Sequence, residues 1–334
     1  MAAPSLVDAA HHELLAKVAA MYYERELTQS QIAVALDLSR VKVYRLLKEA
    51  RETQVVRILI DYPLKRASEL EERLARRFGL RQARALQSGA GDAGLLLRQT
   101  AQLAARYLEE ALTAGATMSI CFGSATYEVI SAIRSDFQAD VTVVQATGSL
   151  PQALKEYDSS ALTRQLAQKL GGQAQYLSSP LLADNAEAAA IIRRQAVVGQ
   201  TLAQVRRADI ALVGIGNLDP ATSGFVRAGV AGPDQLRAYR DCGAAGDMAW
   251  QIFDSAGQLF PCELNERIIG VTLDDLRAVP QTIAVAVGGD KALAIHGALA
   301  SGAIDVLVTD EQTAAHVLAR PAASHQACHA EARR

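Results

Sequence analysis

Two groups of residues in this 334-residue chain have types and spacings that could do chemistry. The first lies between Arg40 and Arg51, where Arg40, Lys42, Arg45, Lys48 and Arg51 stand against one acid, Glu49. Cations crowded onto a short helical stretch suit a polyanion, and a helix of this kind suits the DNA major groove. The second group is glycine and small hydroxyl residues: Gly123-Ser124-Ala125-Thr126, Thr147-Gly148-Ser149, and Gly288-Gly289-Asp290 followed by Lys291. Glycine lets backbone amides approach an anion, Ser and Thr add donors, and a helix N-terminus adds a favourable field, so these residues fit a phosphate. Any strand-to-helix turn can use one such loop; two of them with a lysine point to an anionic ligand. Asp247 and Asp254 flank the apolar segment 248–253 after Gly243-Ala244-Ala245-Gly246. An acid beside a glycine turn either forms the turn or accepts hydrogen bonds from sugar hydroxyls, and both readings stand.

Catalytic and metal chemistry find little support. Of the six histidines, four lie near the chain ends, and none sits in a nucleophile or metal-ligand arrangement. The four cysteines (Cys121, Cys242, Cys262, Cys328) include no CxxC pair, which argues against a zinc site or a disulfide framework and for a reducing cytosol. Cys121 at a strand end reads as a packing residue before a reactive thiol. Gly214-Ile215-Gly216 lacks the third glycine of a dinucleotide fingerprint, so nicotinamide binding is rejected. We expect no catalytic residue, no metal and no cofactor.

The elements that must position the basic group are two short helices. Thr28 caps the first, with Gln31 reaching back to complete a capping box, and Ile32, Ala33 and Leu36 face inward. Asp37 sits where the chain must turn and tolerates the left-handed conformation. Ser39 caps the second helix, whose inward residues Val43, Leu46, Leu47 and Ala50 follow an i, i+3, i+4, i+7 spacing. Val41, Arg45 and Lys48 then point outward, flanked by Lys42 and Tyr44, with Arg40 at the helix start. Gln29 and Ser30 place polar groups at the start of the first helix, where phosphates are met. The DNA-contacting set is therefore Gln29, Ser30, Ser39, Arg40, Val41, Lys42, Tyr44, Arg45 and Lys48. A preceding helix over 8–25 supports the pair through Leu14, Leu15, Val18, Ala19 and Tyr22.

Further along, 54–62 alternates Val56, Ile58 and Ile60 and predicts a strand, as a wing or connector. Ser68 and Glu71 predict a capped helix over 68–78 with Leu70, Leu74 and Phe78 as its stripe, ended by Gly79. That helix could dimerise or dock on its own domain. From about residue 85 the grammar becomes strand, glycine loop, helix, with strand-like runs at 118–122, 141–146, 210–214, 283–287 and 306–309. Near-continuous apolar strands alternating with helices imply a parallel sheet covered on both faces, with ligands beyond the carboxyl ends of its strands. The predicted organisation is a helix-turn-helix domain over 1–62, a linker helix over 63–84 with a possible oligomerisation role, an α/β effector domain over 85–320 and a disordered tail over 321–334.

Charge follows that division. Net charge is −2, yet residues 1–84 carry 15 Lys and Arg against 11 Asp and Glu, while the other 250 carry 19 against 25. A basic module on an acidic body suits a protein that meets DNA through one end. No signal-peptide core or membrane-length apolar run is present, so a cytoplasmic protein is expected.

Taken in order, several segments resemble the SorC family of sugar-binding bacterial transcriptional regulators: 27–51, 119–129 (SICFGSATYEV), 206–217 (RRADIALVGIGN), 242–258 (CGAAGDMAWQIFDSAGQ), 267–299 and 304–314. The resemblance implies a C-terminal effector domain similar to sugar-phosphate isomerase and deaminase folds that serves as a sensor of phosphorylated sugars or related molecules, in a homodimer or homotetramer. By position it puts Gly123, Ser124 and the Thr147–Ser149 loop on the phosphate side, Asp247 and Asp254 on the sugar side, and Lys291 on the phosphate or ligand. This chain departs from the family pattern at three places. Val41 replaces a proline in the reading helix. Phe122-Gly123-Ser124-Ala125 replaces Trp-Gly-x-Thr, so that Ala125 stands at the family's threonine and Thr126 one place later. Thr147-Gly148-Ser149 replaces paired glycines. The implied function is a DNA-binding regulator of a carbohydrate-related operon. A sugar-phosphate isomerase-type enzyme with a DNA-binding appendage, and a constitutive scaffold, are the alternatives.

Overall fold

The computed structural model describes residues 6–321 apart from 54, 57, 59, 61, 88–91 and 151–157, and the chain divides into two compact units between Tyr62 and Pro63. The tail expected beyond Arg320 lies outside the described residues except for Pro321, as do residues 1–5.

The first unit is three helices: α1 Leu6–Tyr23, α2 Gln29–Leu36 and α3 Arg40–Glu52. The capping signals have their expected counterparts, whereas Tyr22, expected on the packing face of α1, is exposed and Met21 is buried in its place. Thr28 forms a capping box with Gln31, Asp37 ends α2 at φ 52° and ψ 47°, and Ser39 Oγ accepts from Lys42 N at 3.1 Å. A small core joins Leu15, Val18, Ile32, Val43, Leu46, Leu47 and Ala50. The strand predicted over 54–62 is not found among the described residues of that stretch. Val55 and Val56 turn back to pack partly buried on the helical core, and Ile58 and Ile60 are exposed. Alternation there has no partner strand to pair with, and a strand without a partner leaves its backbone groups unsatisfied.

The second unit is a twisted sheet with helices on both faces. Its strands are β1 Gln82–Leu86, β2 Thr117–Ile120, β3 Thr142–Gln145, β4 Gln173–Gln175, β5 Ile210–Gly216, β6 Ala244–Met248, β7 Gln251–Asp254, β8 Thr282–Val285 and β9 Val306–Asp310. The order is β1-β9-β8-β5-β2-β3-β4, all parallel, and the β6–β7 hairpin pairs antiparallel with the end of β5. β8 and β9 are buried at every position, as strands covered on both faces must be. One apolar layer joins Leu103, Leu108, Val129, Leu162 and Leu166 to one face, and another joins Leu74, Leu276, Ile295 and Val317 to the other.

Four strands have no strong signal in the sequence. β1, Gln-Ala-Arg-Ala-Leu, contains no β-branched residue, and β4 is a three-residue polar edge. The loop expected at 243–247 is β6 of a hairpin whose two-residue turn, Ala249-Trp250, contains neither Asn nor Gly.

The helix expected over 68–78 is present as α4, Ser68–Phe78, but with a different start. Ala67 occupies the cap position, with no side-chain capping bond. Glu71 is drawn into the unit instead: it accepts from Arg66 Nε at 2.8 Å and Nη2 at 2.6 Å, and from Ala85 N at 2.8 Å. Leu74 is buried in the sheet layer, and Arg77 donates to Leu318 O and Arg320 O at the C-terminal end of helix Glu311–Ala319. Such carbonyls lack intrahelical partners, so a guanidinium there is well placed. The segment expected as a linker is thus docked on the α/β unit, and that unit begins at Pro63 instead of residue 85.

Candidate functional site

In the first unit, burial of Val43, Leu46, Leu47 and Ala50 dictates what α3 shows to solvent. Arg40, Val41, Lys42, Tyr44, Arg45 and Lys48 are all exposed, as are Ser30 and Ser39, while Gln29 is half-buried. Among the described residues the side chains of Arg40, Lys42 and Arg45 engage no hydrogen bond or ion pair, and Lys48 reaches only Glu52, at 3.6 Å on the surface. The one acid within the patch, Glu49, is turned away: its Oε1 lies 2.6 Å from His11 Nε2 on α1. The face is therefore cationic, with two apolar side chains, Val41 and Tyr44, set among the charges. Cations suit phosphates or guanine edges, and apolar groups suit thymine methyls.

In the second unit the order of the strands fixes where a ligand can sit. From β2 the next strand lies on one side, at β3; from β5 the next parallel strand lies on the other, at β8. The connections from β2 and β5 thus run in opposite directions along the sheet, and the carboxyl ends of those strands open a crevice. A cleft of about 90 Å³ occupies it, walled by Phe122–Ala125 after β2, Gly214–Asn217 at the end of β5, the β6–β7 turn, Arg227 and Lys291. Helix Ser124–Ala132 begins at this wall with no side-chain cap on Gly123. Its first internal bond is Tyr127 N to Gly123 O at 2.9 Å, so the amides before it face the opening unpaired.

Two opposite charges meet in the cleft. Lys291 Nζ donates to Ile215 O at 3.1 Å beside the Asp247 carboxylate. Burial pushes the Asp247 carboxyl up to about 7, with Lys291 and the Trp250 N–H pulling it back down; burial also lowers Lys291, against Asp247 and Asp290. Both side chains keep a little exposure through the mouth of the cleft. Gly216 makes the room: a Cβ there would stand 2.0 Å from Asp247 Oδ1. Around them Asn217 Nδ2 donates to Asp290 Oδ2 at 2.7 Å, and Thr222 Oγ1 donates to Asn217 Oδ1 at 3.0 Å. The arrangement offers free amides and cations for an anion, and a carboxylate and an amide for hydroxyls.

The Sugar-bind family model ("Putative sugar-binding domain") matches residues 62–319. The transcriptional regulator LsrR of Klebsiella pneumoniae is 32% identical over 316 residues, covering 93% of this chain and 94% of that protein. The deoxyribonucleoside regulator of Bacillus subtilis is 28% identical, covering 92% and 98%. The crystal structure of the full-length sorbitol operon regulator SorC from Klebsiella pneumoniae superposes with a TM-score of 0.68 at 27% identity, covering 92% of this chain and 99% of that one. The chain belongs to the SorC family of sugar-binding transcriptional regulators.

Within this SorC-family cleft the residues expected from sequence separate into two sets. Gly123, Ser124, Ala125, Asp247 and Lys291 share the one cavity. Thr126, Thr147, Gly148, Ser149 and Asp254 do not line it. Thr126 is buried behind the helix start. The second loop cannot offer its amides: Gly148 N donates to Ile269 O at 2.9 Å and Ser149 N to Ser179 O at 3.0 Å. Gly148 is glycine because the Pro180 backbone passes so close that a Cβ would meet its carbonyl at 2.2 Å. Thr147 is fully buried, and the Ser149 hydroxyl accepts from Gln145 Nε2 at 3.0 Å. Asp254 forms its own turn, accepting from Ala256 N and Gln258 N, both at 2.9 Å. Of the two readings open for these acids, Asp254 follows the turn-forming one. Cys121 is buried, its thiol pushed up to about 12 by burial, and it packs as a small apolar residue.

Asn217, Thr222, Arg227 and Trp250 line the SorC-family cleft without having been marked in the sequence. Asn217 directly follows the Gly214-Ile215-Gly216 turn and could have been found there; the others have no local signal. Among the described residues no helix is long and apolar enough to cross a membrane, and no three His, Cys, Asp or Glu side chains are grouped as metal ligands.

The displaced Asp247 carboxyl carries a stability prediction. Its folded value, about 7, lies above the 3.8 of an ordinary aspartate, so the folded state holds a proton that the unfolded state has lost between those limits. Stability from this group therefore falls as pH rises from about 4 to about 7. Asp247→Asn removes the titration, so its Tm should gain on wild type across that window. One pH unit of displacement corresponds to about 1.4 kcal/mol, enough for a few degrees. Melting curves at pH 4.5 and 8 with an equal Tm difference would contradict the assignment.

Proposed function

We propose that the α/β unit of this regulator takes a small phosphorylated sugar as its effector and that occupancy of the cleft changes operator binding by the helix-turn-helix unit. The observation that carries the ligand class is the meeting, at one topological switch point, of an uncapped helix N-terminus, Lys291, Arg227 and Asp247. The unit's negative net charge does not favour an anion, so these local donors must hold the phosphate. Relatives named as regulators of transcription, of deoxyribonucleosides and of a sorbitol operon support a carbohydrate-related target. A thermal-shift panel of three- to six-carbon sugar phosphates with their unphosphorylated counterparts tests the class: a ligand that binds only the folded state raises Tm.

The chain acts as a sensor and not as an enzyme in this reading. The Asp247–Lys291 pair is the observation that favours the alternative, because paired groups with displaced proton affinities in a cleft also mark catalytic sites. Incubation with pentose and hexose phosphates, followed by product analysis, separates the two; turnover would establish the enzyme. A single three-helix unit covers too little DNA for strong specificity, so a homodimer or homotetramer on paired half-sites is expected. Sedimentation showing a monomer at micromolar concentration with and without DNA would contradict it.

A further inference from the structure

We propose that Trp250 decides which effectors the cleft prefers, favouring sugar phosphates that lay a bare carbon face against its indole. This rests on the reading of the cleft as a sugar-phosphate site.

Trp250 is the only tryptophan in the chain, and it stands where tryptophan is out of place. It is the second residue of the two-residue turn between the paired residues Met248 and Gln251. Ala249 and Trp250 have φ of +54° and +66°, the left-handed region that such turns normally fill with Asn or Gly. A bulky residue remains there only when its surroundings fix it. Two contacts do so. The backbone N–H of Trp250 lies against the Asp247 carboxylate and favours its charged form, which ties the acid of the cleft to the turn. The indole packs against the Phe122 ring at 5.0 Å, tilted by 33°, and edge-on against Phe225 at 5.1 Å. Hairpin turns usually carry polar side chains into solvent. This one instead buries its indole, 6% exposed, in the wall of the cleft.

The consequence for a ligand is chemical. The cleft is bounded on its apolar side by Phe122 and Trp250, whose rings pack on one another. A hydroxyl laid against the indole would lose its water without gaining a partner, so a sugar with a bare carbon face is favoured over a fully hydroxylated one.

Calorimetry of the full-length protein with 2-deoxyribose 5-phosphate and ribose 5-phosphate tests this. Wild type should bind the deoxy sugar phosphate about tenfold more tightly than its hydroxylated counterpart. Trp250→Gly, in which glycine takes the left-handed turn without strain, should bring that ratio close to one. Trp250→Leu should lie between them. As the sole indole, Trp250 also reports directly: its emission should change on saturation, with the same Kd as calorimetry, which keeps the test open if the glycine variant fails to fold. An unchanged preference in the variants, or indole emission indifferent to a saturating ligand, overturns the role of Trp250 alone. Failure of every sugar phosphate to bind wild type overturns the sugar-phosphate reading, and this inference with it.

Discussion

Arg45→Ala is expected to weaken binding to the cognate operator by about 1–3 kcal/mol, roughly five- to more than a hundredfold. Val43, Leu46, Leu47 and Ala50 are buried, so α3 has one orientation, and Arg45 stands on its solvent face with no competing partner among the described residues. A guanidinium with five donors in a fixed fork matches the O6 and N7 edge of guanine, and losing such a pair removes affinity for one base position. Lys48 should behave differently. Its ammonium is a point charge already drawn towards Glu52, and in contact with a phosphate it would contribute alike to every sequence. Lys48→Ala should therefore lower affinity for all DNA and flatten the salt dependence, leaving sequence preference intact. Anisotropy titrations of both variants on specific and unrelated duplexes, at two salt concentrations, distinguish these roles. Equal losses on both duplexes for Arg45→Ala would remove it from base reading.

Lys291→Ala is expected to weaken effector binding about tenfold or more. A charge-assisted hydrogen bond is worth about 1.5–3 kcal/mol, and 1.4 kcal/mol is a factor of ten. A second effect adds to it. Lys291 is one of the two influences that pull the Asp247 carboxyl down; without it Asp247 is pushed further up, towards its neutral form. The variant thus loses the cation and weakens the charge on the acid that accepts from hydroxyls. Asp247→Asn alone should alter discrimination among sugars more than affinity for the phosphate. Because the two groups lie in one pair, the double variant should lose less than the sum of the singles. Calorimetry across the four proteins gives that cycle. Wild-type affinity in Lys291→Ala would make Lys291 a structural brace for Ile215 O and no ligand contact.

How much of this was legible in the sequence depended on whether the signal was local. The capping box at Thr28, the left-handed Asp37 and the Ser39 cap are interactions among residues three or four apart, and each was readable from residue type. The five parallel strands expected in the large unit were visible as apolar runs because burial on both faces leaves no other composition. The second phosphate loop was misread for a long-range reason. Thr147-Gly148-Ser149 has the composition of an anion cradle, but its amides are taken by Ile269 and Ser179, more than a hundred and about thirty residues away. Glu71 was misread likewise: three residues after Ser68 it looks like a capping-box partner, yet Arg66 and the strand at Ala85 claim it. Trp250 was illegible because its place in the cleft comes from a hairpin turn that breaks the usual residue preference.

Occupancy of the cleft should change how strongly the reading helix holds DNA. The direct measurement is anisotropy of a labelled duplex, selected by the full-length protein from a random-sequence library, titrated with and without saturating sugar phosphates of three to six carbons. Coupling between two sites is typically worth about 1–3 kcal/mol. At least one phosphorylated sugar should therefore move the DNA dissociation constant about fivefold or more, its unphosphorylated form should not, and Lys291→Ala should need about tenfold more of it, or beyond, for the same response. A DNA affinity indifferent to every phosphorylated sugar, or equally sensitive to the unphosphorylated ones, would contradict the account.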